Sequence, residues 1–306
     1  MKLGINGTGL VQRASIDAIR SDAQAAARDG FANYWLAEHP TGGFDAMTVL
    51  SAIGSEVPDI EMGTAVIPTF PRHPMVMAGQ ALTTQTALTG RFCLGIGLSH
   101  EVMMAQLGIG FDKPIRHLRE YLSILMPLLE EGKVSFQGET LSCEAEVFKP
   151  AGSPPAVVVA ALGPQALKVA GTRTDGTTLA WVGPKTVKEH INPSISEAAA
   201  KAGRPAPRII ATLPVVVTDD PAGIRSRIGK TLTMYGELPS YRAMFEREGV
   251  SGPADLAIAG SAAEVEDGLM AMQEAGLTDF AVSVFATSSD EHVATRELLI
   301  GLINKD

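Results

Sequence analysis

Short apolar runs at strand length alternate with amphipathic stretches at helical period along almost the whole chain. Lys2–Asn6 reads as a strand, followed by an alanine- and arginine-rich helix over Ser15–Asp29 that stops at Gly30. Tyr34–Leu36 is a short strand and Asp45–Ser55 a helix. Glu61–Ile67 is β-rich and runs into Pro68-Thr69-Phe70-Pro71-Arg72-His73-Pro74, where three prolines forbid regular structure. Met75–Leu88 then carries helical spacing at Met75, Ala78, Leu82 and Gln85, Gly90 ends it, and Arg91–Gly97 is a fourth strand. Pro114 opens a helix over Ile115–Glu131 with apolar Leu118, Tyr121, Leu122, Leu125 and Leu129 at three- and four-residue intervals. Four more strands follow at Ala156–Ala161, Thr177–Val182, Ile209–Thr218 and Asp279–Phe285. Helical patterns starting at Pro164, Val187, Pro221 and Glu291 succeed them.

Eight strand–helix pairs in 306 residues predict a (β/α)8 TIM barrel that occupies the whole chain, 1–306, as one domain. A doubly wound sheet is the alternative. Two insertions are expected, at about 132–150, where Gly132–Glu139 reads as a β-hairpin, and at 236–260, a polar, proline-bearing stretch read as a lid. The N-terminal Gly7-x-Gly9 imitates a dinucleotide fingerprint. The third glycine would fall at Gln12, and the next helix starts too late, near Ser15. In a barrel this loop lies at the functional rim instead, within reach of Asn6 to the pocket.

Composition narrows the function classes. The chain is 45% hydrophobic and 19% charged, with a net charge of −9 and no long basic run, which argues against a nucleic-acid partner. There is no uncharged apolar span of membrane length and no apolar signal core near the N-terminus, so no membrane partner is expected. Its two cysteines, Cys93 and Cys143, make no disulfide framework and fit a reducing, cytoplasmic setting. There is no HExxH, CxxC, Walker loop or GxSxG elbow, and the six histidines form no metal pattern.

The candidate chemistry sits on loops that follow strands. His39 lies just after Tyr34–Glu38, in a turn that Pro40 keeps out of helix; an exposed loop histidine is the plain alternative. Gly63 is a glycine inside a strand, the mark of a bulge or a close backbone approach. Gly95-x-Gly97 leaves room above the fourth strand, and Leu98-Ser99-His100-Glu101 presents a hydroxyl, an imidazole and a carboxylate, either His100 or Glu101 being a possible general acid or base. Ala160-Ala161-Leu162-Gly163-Pro164 leads into a helix with proline at its first position, whose free N–H groups can hold a phosphate. His73 is read as a brace for its loop.

The segments PTFPRHPM, GRFCLGIG, and AALGP with the downstream AGTRTDG resemble the barrel of the bacterial luciferase-like flavin and deazaflavin oxidoreductases. The resemblance runs over Met1–Val182 and Asp279–Asp306. It implies a cytoplasmic oxidoreductase that transfers a hydride between coenzyme F420 and a small organic substrate. FMN in a monooxygenase is the alternative, and a non-catalytic cofactor-binding protein the second. The family places a non-proline cis peptide in the bulge at Gly63, Thr64 and Ala65, against the back of the ring. It implies further cofactor contacts at Asn6, Leu98 and Ser99, and phosphate contacts at Ala161, Leu162, Gly163 and Gly176. His39, with His100 or Glu101, would steer the proton, and a homodimer is the expected assembly.

Overall fold

The computed structural model of the chain describes residues 1–11, 15–39 and 42–305. Gln12 of the glycine-loop reading, and Pro40 of the His39 turn, lie outside them. Among the described residues, eight strands close into a barrel: β1 (Lys2–Asn6), β2 (Asn33–Leu36), β3 (Glu61–Thr64), β4 (Phe92–Gly97), β5 (Ala156–Val159), β6 (Gly176–Ala180), β7 (Arg208–Thr212) and β8 (Asp279–Val284). Each pairs in parallel with the next, and β8 returns to β1 with Lys2 opposite Asp279 and Ile5 opposite Val282. This is the TIM barrel that the alternating pattern predicts.

The helices begin where local chemistry allows. Ser15 caps Ile16–Arg28 by accepting the Ala18 N–H, and Asp45 caps Ala46–Ile53 by accepting that of Thr48. Proline stands in the first turn of Pro74–Ala87, Pro114–Glu130, Pro164–Arg173 and Pro221–Thr231, where its missing N–H costs nothing. None of the described helices is long and apolar enough to cross a membrane.

Alternation along the strands divides the core in two. Tyr34, Leu36, Leu94, Ile96, Val157 and Val159 pack outward into the helix layer. Trp35, Cys93, Val158, Ile210 and Ala281 form a separate apolar layer within the barrel. Trp35 also explains Gly63, because a Cβ there would come within 2.2 Å of the indole. The N-terminal end of the barrel is closed by charge: Arg208 binds both Glu61 oxygens at 2.9 and 3.1 Å and Asp279 at 2.7 Å, and Asn33 donates to Asp279 at 3.1 Å.

Both segments expected as insertions have definite structure. The first is an antiparallel hairpin, Lys133–Gln137 with Ser142–Glu146. Its turn is held by buried Glu120 of the preceding helix, which accepts the N–H groups of Glu139, Thr140 and Leu141 and the Thr140 hydroxyl. The second supplies two helices, Thr233–Glu237 and Pro239–Glu248, and a strand, Ile258–Gly260. That strand pairs with Pro214–Val217, the continuation of the seventh strand run beyond β7.

Burial by itself would raise the Glu120 carboxyl pKa, but the four donors pull it down to about 2, below its ordinary 4.5. A depressed carboxylate stabilises the fold above its unfolded pKa, and that contribution is lost as pH falls through the folded value. Glu120→Ala should therefore lose about 1–3 kcal/mol at pH 7, the cost of orphaned donors. Measured by urea unfolding across pH, the deficit should shrink from about 4.5 towards 2. A deficit independent of pH would assign the effect to packing.

Candidate active site at the barrel mouth

The third strand breaks just short of the mouth and resumes as Ile67–Pro68, which pairs with Ile96 and Gly97 of β4. Between these pieces the chain bulges, and the Ala65–Val66 peptide is cis. The bulge is seated on the fourth strand through the two glycines. A Cβ on Gly95 would lie 1.8 Å from the Thr64 carbonyl oxygen, and one on Gly97 would lie 2.7 Å from Val66 Cγ2. The Thr64 hydroxyl donates to the Gly95 carbonyl at 2.8 Å and accepts the Gly95 N–H at 2.9 Å. Thr64 is fully buried and its hydroxyl is spent on this clasp, whereas Ala65 and Val66 stay partly exposed.

The proline-rich loop after the bulge fixes the end of β2. Arg72 ion-pairs with Glu38 at 3.2 Å and with Asp45 at 2.8 Å, while Glu38 donates its N–H to the Val66 carbonyl. Burial raises the Glu38 carboxyl pKa, partly opposed by Arg72. His73 caps the next helix, its Nδ1 accepting the Met75 N–H at 3.2 Å, as a loop brace should. A second brace escaped the sequence reading: His117 stacks on Phe70 with ring centroids 3.9 Å apart and contacts the Thr69 hydroxyl at 3.2 Å. Burial lowers the pKa of its imidazole to about 4. Ring spacing between Phe70 and His117, 47 residues apart, leaves no local pattern.

His39 thus stands next to a clamped residue at the rim. Burial lowers its pKa; burial lowers that of His100 too, and charge on His39 lowers it further. Both shifts favour the neutral imidazole. His100 is presented by Ser99, which has a left-handed backbone (φ 61°), and it stands at the N-cap of the short helix Glu101–Gln106. The Ser99 hydroxyl contacts Met103 Sδ at 3.5 Å, and Leu98 is half-buried in the core beside it. Glu101 is exposed on the first turn of that helix, whereas His100 is partly buried.

Asn6 spans the mouth from the end of β1. Its amide donates to the Thr212 hydroxyl at 3.1 Å and accepts the Thr8 N–H at 2.9 Å. On the far side, Gly163 is the N-cap of Pro164–Arg173 and offers no side-chain cap; a Cβ there would meet nothing within 4 Å. Ala161 is buried beneath it. His190 donates from Nε2 to the Leu162 carbonyl at 2.8 Å, out of a π-helical turn at Val187–Ile191 that the sequence does not announce. Gly176 does not join this group. It opens β6 at the barrel's opposite end, about 13 Å of strand from the rim at ~3.3 Å per residue. It is a glycine because its φ is +156° and the Arg208 carbonyl oxygen lies 2.1 Å from a Cβ. The AGTRTDG segment leads into a strand rather than out of one, and Asp175 there accepts the Val157 N–H at 2.8 Å.

A closed parallel barrel with a seated bulge and an uncapped helix start at its C-terminal rim defines the class, a (β/α)8 barrel enzyme. The chain belongs to the luciferase-like monooxygenase family, whose profile matches residues 3–297. It is 25% identical over 282 residues to the 5,10-methylenetetrahydromethanopterin reductase of Methanolobus tindarius, covering 90% of this chain and 85% of that protein. It is 28% identical over 211 residues to the F420-dependent glucose-6-phosphate dehydrogenase of Segniliparus rotundus, covering 64% and 63%. Its fold matches the coenzyme F420 dependent tetrahydromethanopterin reductase of Methanopyrus kandleri with a TM-score of 0.81, at 21% identity over 98% of this chain and 97% of that one.

Gly95→Ala should displace the bulge, because the clash is with backbone: a loss of about 1–3 kcal/mol or more is expected on denaturation. Gly163→Ala, which meets open space, should stay within about 1 kcal/mol of the parent. Equal effects of the two changes would refute the seating.

Proposed function

We propose that the protein transfers a hydride between coenzyme F420 and a small organic substrate. The observation that carries this reading is the partly exposed bulge at Ala65 and Val66, clasped to the fourth strand at a rim that also carries His39 and His100. The family membership supports it, as do the F420 dependence named for the Segniliparus rotundus enzyme and the reduction named for the Methanolobus tindarius enzyme.

The residues present fit the cofactor. The partly exposed Ala65 and Val66 offer a narrow apolar support for a flat ring, and the open, uncapped start at Gly163 offers backbone donors for a phosphate. When bound, F420 supplies the ring carbon that takes or gives the hydride. Asn6, Leu98 and Ser99 would border the ring and Ala161–Gly163 the tail. His39 would hold or release the accompanying proton at its imidazole, with His100 keeping the local charge low. Thr64 acts through the clasp, and Gly63 through its packing under Trp35.

Fluorescence titration of the apoprotein should show micromolar F420 binding and much weaker FMN binding; tight FMN binding without an F420 response would overturn the cofactor choice. Gly163→Asp sharpens the test. Aspartate is a favoured N-cap, so the apoprotein melting temperature should hold or rise, while F420 affinity falls by at least about ten-fold through repulsion of the phosphate. Normal F420 affinity would place the tail elsewhere.

His39→Ala should leave F420 affinity within a few-fold and lower turnover by about 10²–10⁴-fold, the scale of general acid–base catalysis. Activated alkenes, imines, ketones and alcohols would be screened by oxidation or reduction of the bound cofactor. An unchanged rate on an accepted substrate would remove His39 from the reaction, and cofactor binding without any turnover would favour a carrier.

A further inference from the structure

The second insertion builds an aromatic wall beside His100. His100 and Tyr241 have ring centroids 5.5 Å apart, Tyr241 and Tyr235 5.7 Å, and Tyr235 and Trp181 5.8 Å, all in tilted or edge-on arrangements. Such spacing lets the rings share edges and faces while leaving part of each free for another π-system. Three separate chain segments meet here: the loop after β4, the turn after β6, and the helices Thr233–Glu237 and Pro239–Glu248.

Two features show that the wall is held in place. Trp181 has a left-handed backbone (φ 59°), an uncommon and strained state for so bulky a residue, and Ser99 at the other end has φ 61°. The lid helix is pinned at its far end, where Glu248 accepts the N–H groups of Lys185 and Thr186 at 3.1 and 2.7 Å. Gly183 permits this approach, since a Cβ would sit 2.4 Å from the Glu248 carboxyl carbon.

The wall is also without charge. On Pro239–Glu248, Met244 and Phe245 are buried and Tyr241 half-buried, while Arg242 and Arg247 are exposed; Lys185 is exposed as well. Arg72, on the loop after the bulge, is already paired with Glu38 and Asp45. Among the described residues the cation stacked on an aromatic ring is Arg296 on Phe31, away from these three rings, so a phosphate or carboxylate laid against the wall would lose hydration without a stacked cation in return.

We propose that Trp181, Tyr235 and Tyr241 form the substrate-specificity wall, and that the substrate is an uncharged molecule carrying a flat unsaturated or aromatic group. This inference rests on the assignment of the mouth as the reaction site; it sets the chain apart from a sugar-phosphate dehydrogenase.

The test uses three probes on the purified protein saturated with F420, and on the protein without it, read by saturation-transfer NMR. They are benzalacetone (uncharged and conjugated), cinnamate (the same ring with a carboxylate) and glucose 6-phosphate. Benzalacetone should bind at least about ten-fold more tightly than cinnamate, and glucose 6-phosphate should not bind. Tyr235→Leu and Trp181→Leu should each weaken benzalacetone about three- to ten-fold, with F420 affinity kept within a few-fold. Tyr241→Phe should retain binding, and it guards against misfolding of a larger truncation. Equal binding of the charged probes, absence of benzalacetone binding, or benzalacetone binding unmoved by both leucine variants would overturn the proposal. Benzalacetone binding to a protein that ignores F420 would instead refute the cofactor assignment and leave the wall standing.

Discussion

The close seating of the third strand's bulge on Gly95 and Gly97 is the contact on which the mouth depends. No side chain can stand at Gly95, because the Thr64 carbonyl oxygen occupies its place at 1.8 Å. The Thr64 hydroxyl then closes the gap with two hydrogen bonds to one glycine. Once the bulge is fixed, its Val66 carbonyl takes the Glu38 N–H, and Glu38 is held by Arg72 from the following loop. His39 is the next residue. A backbone contact between two strands thus sets the position of an imidazole on a third.

The two ends of the barrel use opposite electrostatics. At the N-terminal end Arg208, Glu61 and Asp279 form a paired cluster whose members satisfy one another, with Asn33 completing Asp279. Breaking one partner of such a cluster leaves buried charge, so it serves as a closure. At the mouth burial lowers the pKa of His39 and of His100, and charge on His39 lowers that of His100 further. Imidazoles biased towards the neutral form suit a reaction in which a hydride and a proton move separately, because a neutral ring nitrogen can take up the proton.

Much of this was legible in the chain. The strand–helix alternation predicts the barrel, and Gly95-x-Gly97 reads as space above a strand because glycine in a strand has few other uses. The prolines mark the loop of Arg72 and His73. Gly63 was legible as a close approach, but its neighbour is Trp35, a residue 28 positions earlier and visible only in three dimensions. Gly176 was misplaced because glycine after a helix looks alike whether it enters or leaves a strand; its φ of +156° belongs to the entry. Glu101 and His100 are adjacent in sequence, and only the structure shows His100 at the N-cap in ring contact with Tyr241 and Glu101 exposed on the first turn. The aromatic wall joins positions 100, 181, 235 and 241, with no spacing that a one-dimensional pattern could reveal.

The central claim is that a deazaflavin ring rests on the bulge. Methyl-labelled protein, with Ala65 and Val66 assigned, would be titrated with F420 and followed by NMR. Ring-current shifts should be largest at the Ala65 and Val66 methyl groups, with smaller ones at Leu162 and little change at Val157 and Val159 on the outer face of β5. Saturable F420 binding that leaves Ala65 and Val66 unshifted would contradict it.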